Sequence, residues 1–398
     1  MEVLILLFLF LNNGIIKLFP TAEFLSYWDE LSLLIACLLL LIRTARKKFK
    51  KDDRKYLLLM IGTVAIGLIG NIIFEYQNSS SAIIRDIVGF LKFPLSLYIF
   101  YKLNSENKFV LRIGKSLRVF KLLTWVILIC GILSMFLNVG MNLPEFRHGI
   151  HPYMFIFKHP TYLTTCSIML ICLLNAYEET TILYDVILII PIVLGMRTKG
   201  FAFIAVYIFV KYSGNWLKRF KPLYWIIMGM VILAVSYSKL ALYASYSTSP
   251  RETLYLGALR LSQLCFPVGS GFATYASHIS GRYFSRVYNI ITIAGLYNYD
   301  GTISVAIGDA GFPYYIGQFG VIGCILIAVL FVNLYKLSLK TIPKYKTTPI
   351  VLMWLMIIIS LTSETILVND GFQIAFIMSI ITKALSIKYS GNVKGGVK

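Results

Sequence analysis

Negative charge is scarce in this chain. Only 18 of its 398 residues are acidic, against 38 lysines and arginines, and charged side chains of both signs make up 14% of the total. A soluble domain of this length cannot clothe its surface with so few charges, which excludes that class. Cysteine is sparse as well. Cys37, Cys130, Cys166, Cys172 and Cys324 lie in apolar stretches and Cys265 stands alone in a polar one, so neither a disulfide framework nor a paired-cysteine metal site can form. Linkers, low-complexity tracts and a visible internal repeat are also lacking.

Apolar sequence is what the chain has instead. Hydrophobic residues are 58% of it and the mean hydropathy is +0.76, the composition of a polytopic α-helical membrane protein. Twelve apolar stretches run near 3–19, 27–42, 56–75, 83–101, 122–140, 160–176, 181–196, 200–212, 222–243, 312–335, 348–368 and 371–387. A helix needs about 20 residues to cross a typical hydrocarbon core, fewer where the membrane thins, so 200–212 is the weakest of these spans. Met1 to Pro20 lacks a basic start and a small-residue cleavage site, and reads as the first span rather than a signal peptide.

Basic residues fall in alternate loops: Arg43, Arg46, Lys47, Lys48, Lys50, Lys51, Arg54 and Lys55; Lys102, Lys108, Arg112, Lys115, Arg118 and Lys121; Lys211, Lys218, Arg219 and Lys221; Lys336, Lys340, Lys344 and Lys346; and the tail Lys388, Lys394 and Lys398. The positive-inside rule then predicts cytoplasmic termini and an even number of spans, with only the Glu178–Glu179 loop lacking basic residues. The net charge of +20 reads mainly as this topology signal, resting on anionic inner-leaflet lipid. The Arg43–Lys55 run abuts a span and has little aromatic interleaving, so no nucleic-acid partner is expected. The predicted fold is one integral membrane domain over 1–398, all-α, with about 12 transmembrane helices. A large extracytoplasmic loop, 244–311, with short amphipathic helices, separates spans 9 and 10.

That loop carries Arg251, Arg260, His278, Arg282, Arg286, Asp300 and Asp309, a set that mere bilayer crossing does not require. Ser249-Pro250-Arg251-Glu252 has capping-box form, and Leu254, Ala258, Leu261 and Leu264 then share one stripe of a surface helix. Its N-terminus beside Arg251 is a candidate anion site, whereas Arg260 reads equally as a snorkelling arginine. Phe266 to Phe272 is a turn of small residues that bends the chain back toward the membrane. If the next stretch is helical, His278, Arg282 and Arg286 form one ridge, either a solvated basic face or part of a site. In the hairpin Met196-Arg197-Thr198-Lys199-Gly200, two cations near membrane depth call for an anion, a lipid head group or a substrate phosphate. His148, His151 and His159 cluster after the fifth span without the carboxylate or cysteine that would complete a metal set, so neither metal nor cofactor is expected. Tyr243, Tyr246, Tyr255, Tyr275, Tyr283, Tyr288, Tyr297, Tyr299, Tyr314 and Tyr315 crowd the loop and its edges; an interfacial belt explains many, and rings that orient sugars would explain the rest.

The order of these pieces, from about His159 to Gly323, resembles the bacterial O-antigen polymerase and O-antigen ligase superfamily. His159-Pro160-Thr161-Tyr162 resembles the family's opening of a span. Arg197-Thr198-Lys199-Gly200 is similar to its Ser/Thr-Arg-Gly hairpin, and Arg251 followed by Gly269-Ser270-Gly271-Phe272 to its large-loop pattern. Asp309 with Gly317-Gln318-Phe319-Gly320-Val321-Ile322-Gly323 resembles its loop exit and the start of the next span. The ligases carry a histidine where Asp309 stands, a departure that leans toward polymerase. The resemblance implies glycosyl transfer between undecaprenyl-pyrophosphate-linked oligosaccharides on the outer leaflet of the bacterial cytoplasmic membrane, with a chain-length regulator and a flippase as partner proteins. Arg197 and Arg251 would hold the pyrophosphate, and Asp309 or His278 would act as base. Lys199, Arg260, Arg282, Arg286, His159, Tyr255 and Tyr275 would bind substrate. A flippase of lipid-linked oligosaccharide is the rival expectation, for which Lys92, with Arg85 and Asp86 nearby, is the best feature.

Overall fold

The computed structural model describes residues 2–21, 27–45, 51–103, 107–147, 149–178, 180–212, 250–291, 307–343 and 346–393. The ninth apolar stretch, His148, Ser249, Asp300, Tyr243, Tyr246, Tyr297 and Tyr299 lie outside the described residues. Within them the chain is helical: α1 Glu2–Leu18, α2 Trp28–Ala45, α3 Lys51–Phe74, α4 Ser80–Leu103, α5 Asn107–Lys115, α6 Leu117–Phe136, α7 Pro160–Tyr177, α8 Ile182–Leu194, α9 Thr198–Tyr212, α10 Pro250–Leu264, α11 His278–Arg282, α12 Val287–Ile290, α13 Gly311–Leu339, α14 Thr348–Leu361, α15 Ile366–Asn369 and α16 Gly371–Val393. Among the described residues no strand forms, only the isolated bridges Asn142–Tyr153 and Arg147–Ile150.

Arg54–Phe74, Leu117–Phe136, Pro160–Tyr177, Gly311–Leu339 and Gly371–Tyr389 are long and apolar enough to cross a bilayer; α8 and α14 are apolar but shorter. Exposed Leu31, Leu34, Ile35 and Leu38 on α2 and Leu122, Trp125, Ile129 and Leu133 on α6 make continuous apolar faces that water would not tolerate. The chain is an all-helical multi-pass membrane protein. α7 and α16 run through its middle with most of their surface buried, while α3 and α6 face outward.

Two features depart from the sequence expectation. The apolar stretch 348–368 is not one span: α14 ends at Leu361 and a turn containing Glu364 leads to the short α15. α13 is not straight either. At Gly320 the backbone takes φ 57°, ψ −159°, and the chain folds back so far that the Tyr315 ring lies 6.3 Å from Phe331. The reversal is held by the segment after α10. Ser270 N donates to Gly317 O (3.1 Å), Gly271 N to Gln318 O (2.9 Å) and Ile322 N to Pro267 O (3.2 Å). Backbones meet so closely that a Cβ on Gly269 would sit 2.3 Å from Gly320 N.

Residues 269–277 are thus buried but not helical, and each backbone group there needs a partner. Side chains from α3, α4, the turn between them and α13 supply them. Asn71 accepts from Phe272 N (2.7 Å) and donates to Phe272 O (2.9 Å); Gln77 donates to Ala273 O (2.9 Å); Asp86 accepts from Ala273 N (2.7 Å); Gln318 donates to Tyr275 O (2.8 Å). The turn of small residues does bend into the protein, as a plug rather than a surface loop. Its placement corrects three details. Leu264 is 51% exposed, and the buried stripe of α10 continues through Cys265 instead. His278, Arg282 and Arg286 do not share a ridge, because α11 stops at Arg282, Phe284 turns at φ 45° and Arg286 caps α12. Tyr275 is wholly buried with its hydroxyl on Leu254 O (2.8 Å), and Tyr288 and Tyr314 are core residues too, so much of the tyrosine crowding is packing.

Gly269→Ala should therefore cost more than about 4 kcal/mol or abolish folding, since neither backbone can retreat. Gly149 has φ +87° but open space around its Cβ direction, so Gly149→Ala should cost only about 1–2 kcal/mol of backbone strain. Thermal melts of the two detergent-purified variants, compared by size-exclusion recovery, check this contrast.

Candidate anion-binding site

Five segments meet at the end of the bundle where α8 turns into α9. His159 is extended (φ −156°, ψ 145°), and Pro160 follows as the first helical residue of α7, where its missing N–H costs nothing. Gly195 and Met196 then turn the chain from α8 into α9, leaving Arg197 and Lys199 at the α9 N-terminus. Gly200 lets α9 close on its neighbours, for a Cβ there would lie 2.6 Å from Ile192 Cγ2.

The Arg197 guanidinium donates to His159 Nε2. Arginine has no acceptor, so Nε2 must carry the lone pair and the imidazole proton sits on Nδ1, donating to the Thr161 hydroxyl at 2.8 Å; Thr161 N, 3.4 Å from Nδ1, then has no acceptor in the ring. Burial, and then the Arg197 and Lys199 charges, push the His159 ring down to about 4, which keeps it neutral. Lys199 is handled differently. Its ammonium lies 2.5 Å from Glu364 Oε1 and 2.9 Å from Thr165 Oγ1, with only 6% of the side chain exposed.

From the other side comes α10, whose first turn places Arg251 Nη2 4.0 Å from Asp309 Oδ2. The His278 ring lies over Gly308, where a Cβ would be 2.7 Å from Nε2. Thr365 N donates to Gly308 O (3.1 Å) and the Tyr255 hydroxyl to Thr362 O (3.2 Å), so the turn after α14 stitches both sides together. Burial raises the Asp309 carboxyl and lowers the His278 ring, while their mutual attraction and Arg251 oppose this; the Asp309 side chain remains 53% open to solvent, which screens it.

The charge pattern of the cluster is asymmetric. Glu364 compensates Lys199, and Arg251 faces Asp309. Arg197 has a neutral imidazole as its hydrogen-bond partner, and its buried Nε has none. Burial, then Arg147 and Arg251, lower its guanidinium to about 10, still fully charged at neutral pH. A half-buried guanidinium in this state favours an anion arriving from outside the chain.

The structure thus brings together His159, Arg197, Lys199, Arg251, His278, Asp309 and Tyr255. It does not bring in Arg260, Arg282 or Arg286, which are exposed and, among the described residues, share no hydrogen bond or ion pair with the cluster. His151 is exposed, its ring on Leu143 O (3.1 Å) and against Phe146. Sequence reasoning missed Glu364 and Thr165. The signal for Glu364 was present, an ionisable residue inside an apolar stretch. The chain matches no protein-family model, no curated protein and no solved structure.

Two outcomes follow from these pairings. Because the fold favours neutral His159, its contribution to stability should be complete above pH 6.5 and lost as pH falls from 6.5 toward about 4. The difference between wild-type and His159→Asn melting curves across that window isolates it, and parallel curves would refute it. Glu364→Ala strands the Lys199 ammonium and should cost about 3–5 kcal/mol, whereas Lys199→Met combined with Glu364→Leu should recover most of the loss.

Proposed function

We propose that this protein is a polysaccharide repeat-unit polymerase, a glycosyltransferase that moves an undecaprenyl-pyrophosphate-linked glycan onto the non-reducing end of a second lipid-linked repeat unit. The site would face the exterior or periplasm, with both termini in the cytoplasm of a bacterium. The observation that carries this reading is the incompletely partnered guanidinium of Arg197, poised with Arg251 beside an open carboxylate at one end of a membrane bundle.

The chemistry suits those groups. An acceptor hydroxyl attacks the anomeric carbon of the donor sugar; the C–O bond to pyrophosphate breaks, and lipid pyrophosphate leaves with the bonding pair. Arg197 and Arg251 neutralise the charge that develops on the leaving oxygens, through planar donors matched to phosphate geometry. Asp309, raised by burial and reachable from solvent, takes the acceptor proton, and His278 stands beside it as the second candidate. His159, neutral and accepting, orients Arg197 without compensating its charge. Transfer of finished glycan to a different acceptor, the ligase reaction, uses the same groups and differs only in the acceptor.

One observation bears on the transporter alternative. Lys92 is buried within α4, where a substrate anion crossing the membrane could meet it, but Asp29 (2.7 Å) and Glu30 (2.6 Å) already hold its ammonium. A cation so closed offers an anion little, which favours chemistry at the Arg197 end. Arg197→Ala should retain its folding and lower the rate of glycan lengthening about 10²–10³-fold in detergent with purified lipid-linked repeat units; Arg197→Lys should recover only part of it. Full-length polymer from Arg197→Ala, or no lengthening by wild type outside sealed vesicles, would refute the assignment.

A further inference from the structure

Away from the arginine cluster, one fully buried charge has no counterpart. Asp86 on α4 is 0% exposed, and among the described residues no lysine, arginine or histidine forms an ion pair with it. Oδ2 accepts from Ala273 N at 2.7 Å, which accounts for one oxygen. The side chains of Gln318, Ser277 and Tyr314 lie within reach of the carboxylate but are not aligned to hydrogen-bond its Oδ1. Yet Asp86 Oδ1, Gln318 Oε1 and the Tyr314 hydroxyl, all on residues with 0% exposure, make no hydrogen bond. One N–H of the Gln318 amide is committed to Tyr275 O at 2.8 Å, which fixes the orientation that leaves Oε1 bare.

Hydrogen bonds alone do not resolve this. Two of the three orphans can only accept, and donors such as the Tyr314 and Ser277 hydroxyls leave the carboxylate charge uncompensated where an unpaired ion is most costly. A small monovalent cation satisfies all three oxygens and cancels the charge; a divalent ion would leave one positive charge behind. The surroundings are of the same kind: a helix broken at Gly320, and a non-helical segment whose backbone turns through positive φ at Gly269, Gly271, Ala273 and Ala276. Broken helices and unwound backbone are where membrane proteins hold monovalent cations.

We propose that Asp86, Gln318 and Tyr314 form a structural binding site for a monovalent cation of the sodium type, which pins the 265–277 plug against α4 and α13. The site is independent of the glycosyl-transfer reading, since it lies on the plug's buried side and its test needs no substrate. The bound ion locks the segment that leads from α10, with Arg251, to α11, with His278.

The test compares thermal melts of the full-length protein in detergent, in sodium chloride and in choline chloride, at fixed pH and equal ionic strength. Wild type should show a saturable rise in melting temperature with sodium, and purified protein should retain radiolabelled sodium at equilibrium. Asp86→Asn keeps the acceptor for Ala273 N and gains an amide donor for Gln318 Oε1. It should lose the sodium response and melt in choline at or above the wild-type value in choline. Tyr314→Phe removes one ligand and should raise the half-saturating sodium concentration several-fold, a readout that survives if the asparagine variant does not fold. Identical wild-type melts in the two salts would overturn the proposal in favour of a protonated Asp86. A sodium response that persists in Asp86→Asn, or a half-saturation unmoved by Tyr314→Phe, would also overturn it.

Discussion

Inside a bilayer a polar group taken from water has to find its partner within the protein, and that requirement governs this structure. Helices meet it locally. The segment from Cys265 to Ser277 does not, so its amides and carbonyls are answered from outside by Asn71, Gln77, Asp86, Gln318 and the backbone on either side of Gly320. Each answer fixes a position: α3 against the plug through Asn71, α4 through Asp86, α13 through its reversal. The glycine contact follows from the same demand, because two backbones can exchange hydrogen bonds this closely only where neither carries a Cβ. Removing a partner leaves a buried donor or acceptor bare, which costs about 1–3 kcal/mol each, so the plug is held by several moderate constraints.

At the hairpin end the same rule is applied unevenly. Lys199 is enclosed by Glu364 and Thr165 and has little left to offer a ligand. Arg197, two residues earlier, is braced by a histidine that burial and then the surrounding charges keep neutral. Bracing without compensating is a specific arrangement. A carboxylate in place of His159 would orient the guanidinium as well but would spend its charge, whereas a neutral acceptor leaves the charge to an incoming anion. Lysine would serve less well at this position, since it lacks the rigid fork that a phosphate can engage by two bonds.

Much of this was legible in the residues. His159-Pro160 reads as a helix start because proline tolerates only the first turn, and His159 is the cap. Two cations in a hairpin of a few residues mark a candidate site, and Arg197 and Lys199 do lie together in the charged cluster. Arg251 at the head of a helix was equally readable, and α10 begins at Pro250. The reversal at Gly320 was not, because an apolar run with several glycines has the same composition whether it runs straight or folds back. Nor were the roles of Asn71 and Gln77, polar residues near helix ends whose partners lie some 200 positions away. Tyrosine crowding misled for a related reason: composition reports that rings are present, and only packing shows that Tyr275 faces Leu254 rather than a sugar.

The candidate anion site is assembled from two frames that the sequence keeps apart. His159, Arg197 and Lys199 belong to α7, α8 and α9, whereas Arg251, His278 and Asp309 hang on the plug and its flanks. The turn between α14 and α15 joins them: Glu364 holds Lys199, Thr365 holds the Gly308 carbonyl, and Thr362 receives the Tyr255 hydroxyl. The separation of the two arginines is therefore set neither by α9 nor by α10 alone, but also by Thr362, Glu364 and Thr365 of this turn. Two guanidiniums draw together only to the extent that something anionic lies between them or something rigid holds them there. A clasp that grips both frames by directional bonds provides the second condition in advance, so an anion entering between the two guanidiniums would lose less of its binding energy to ordering them.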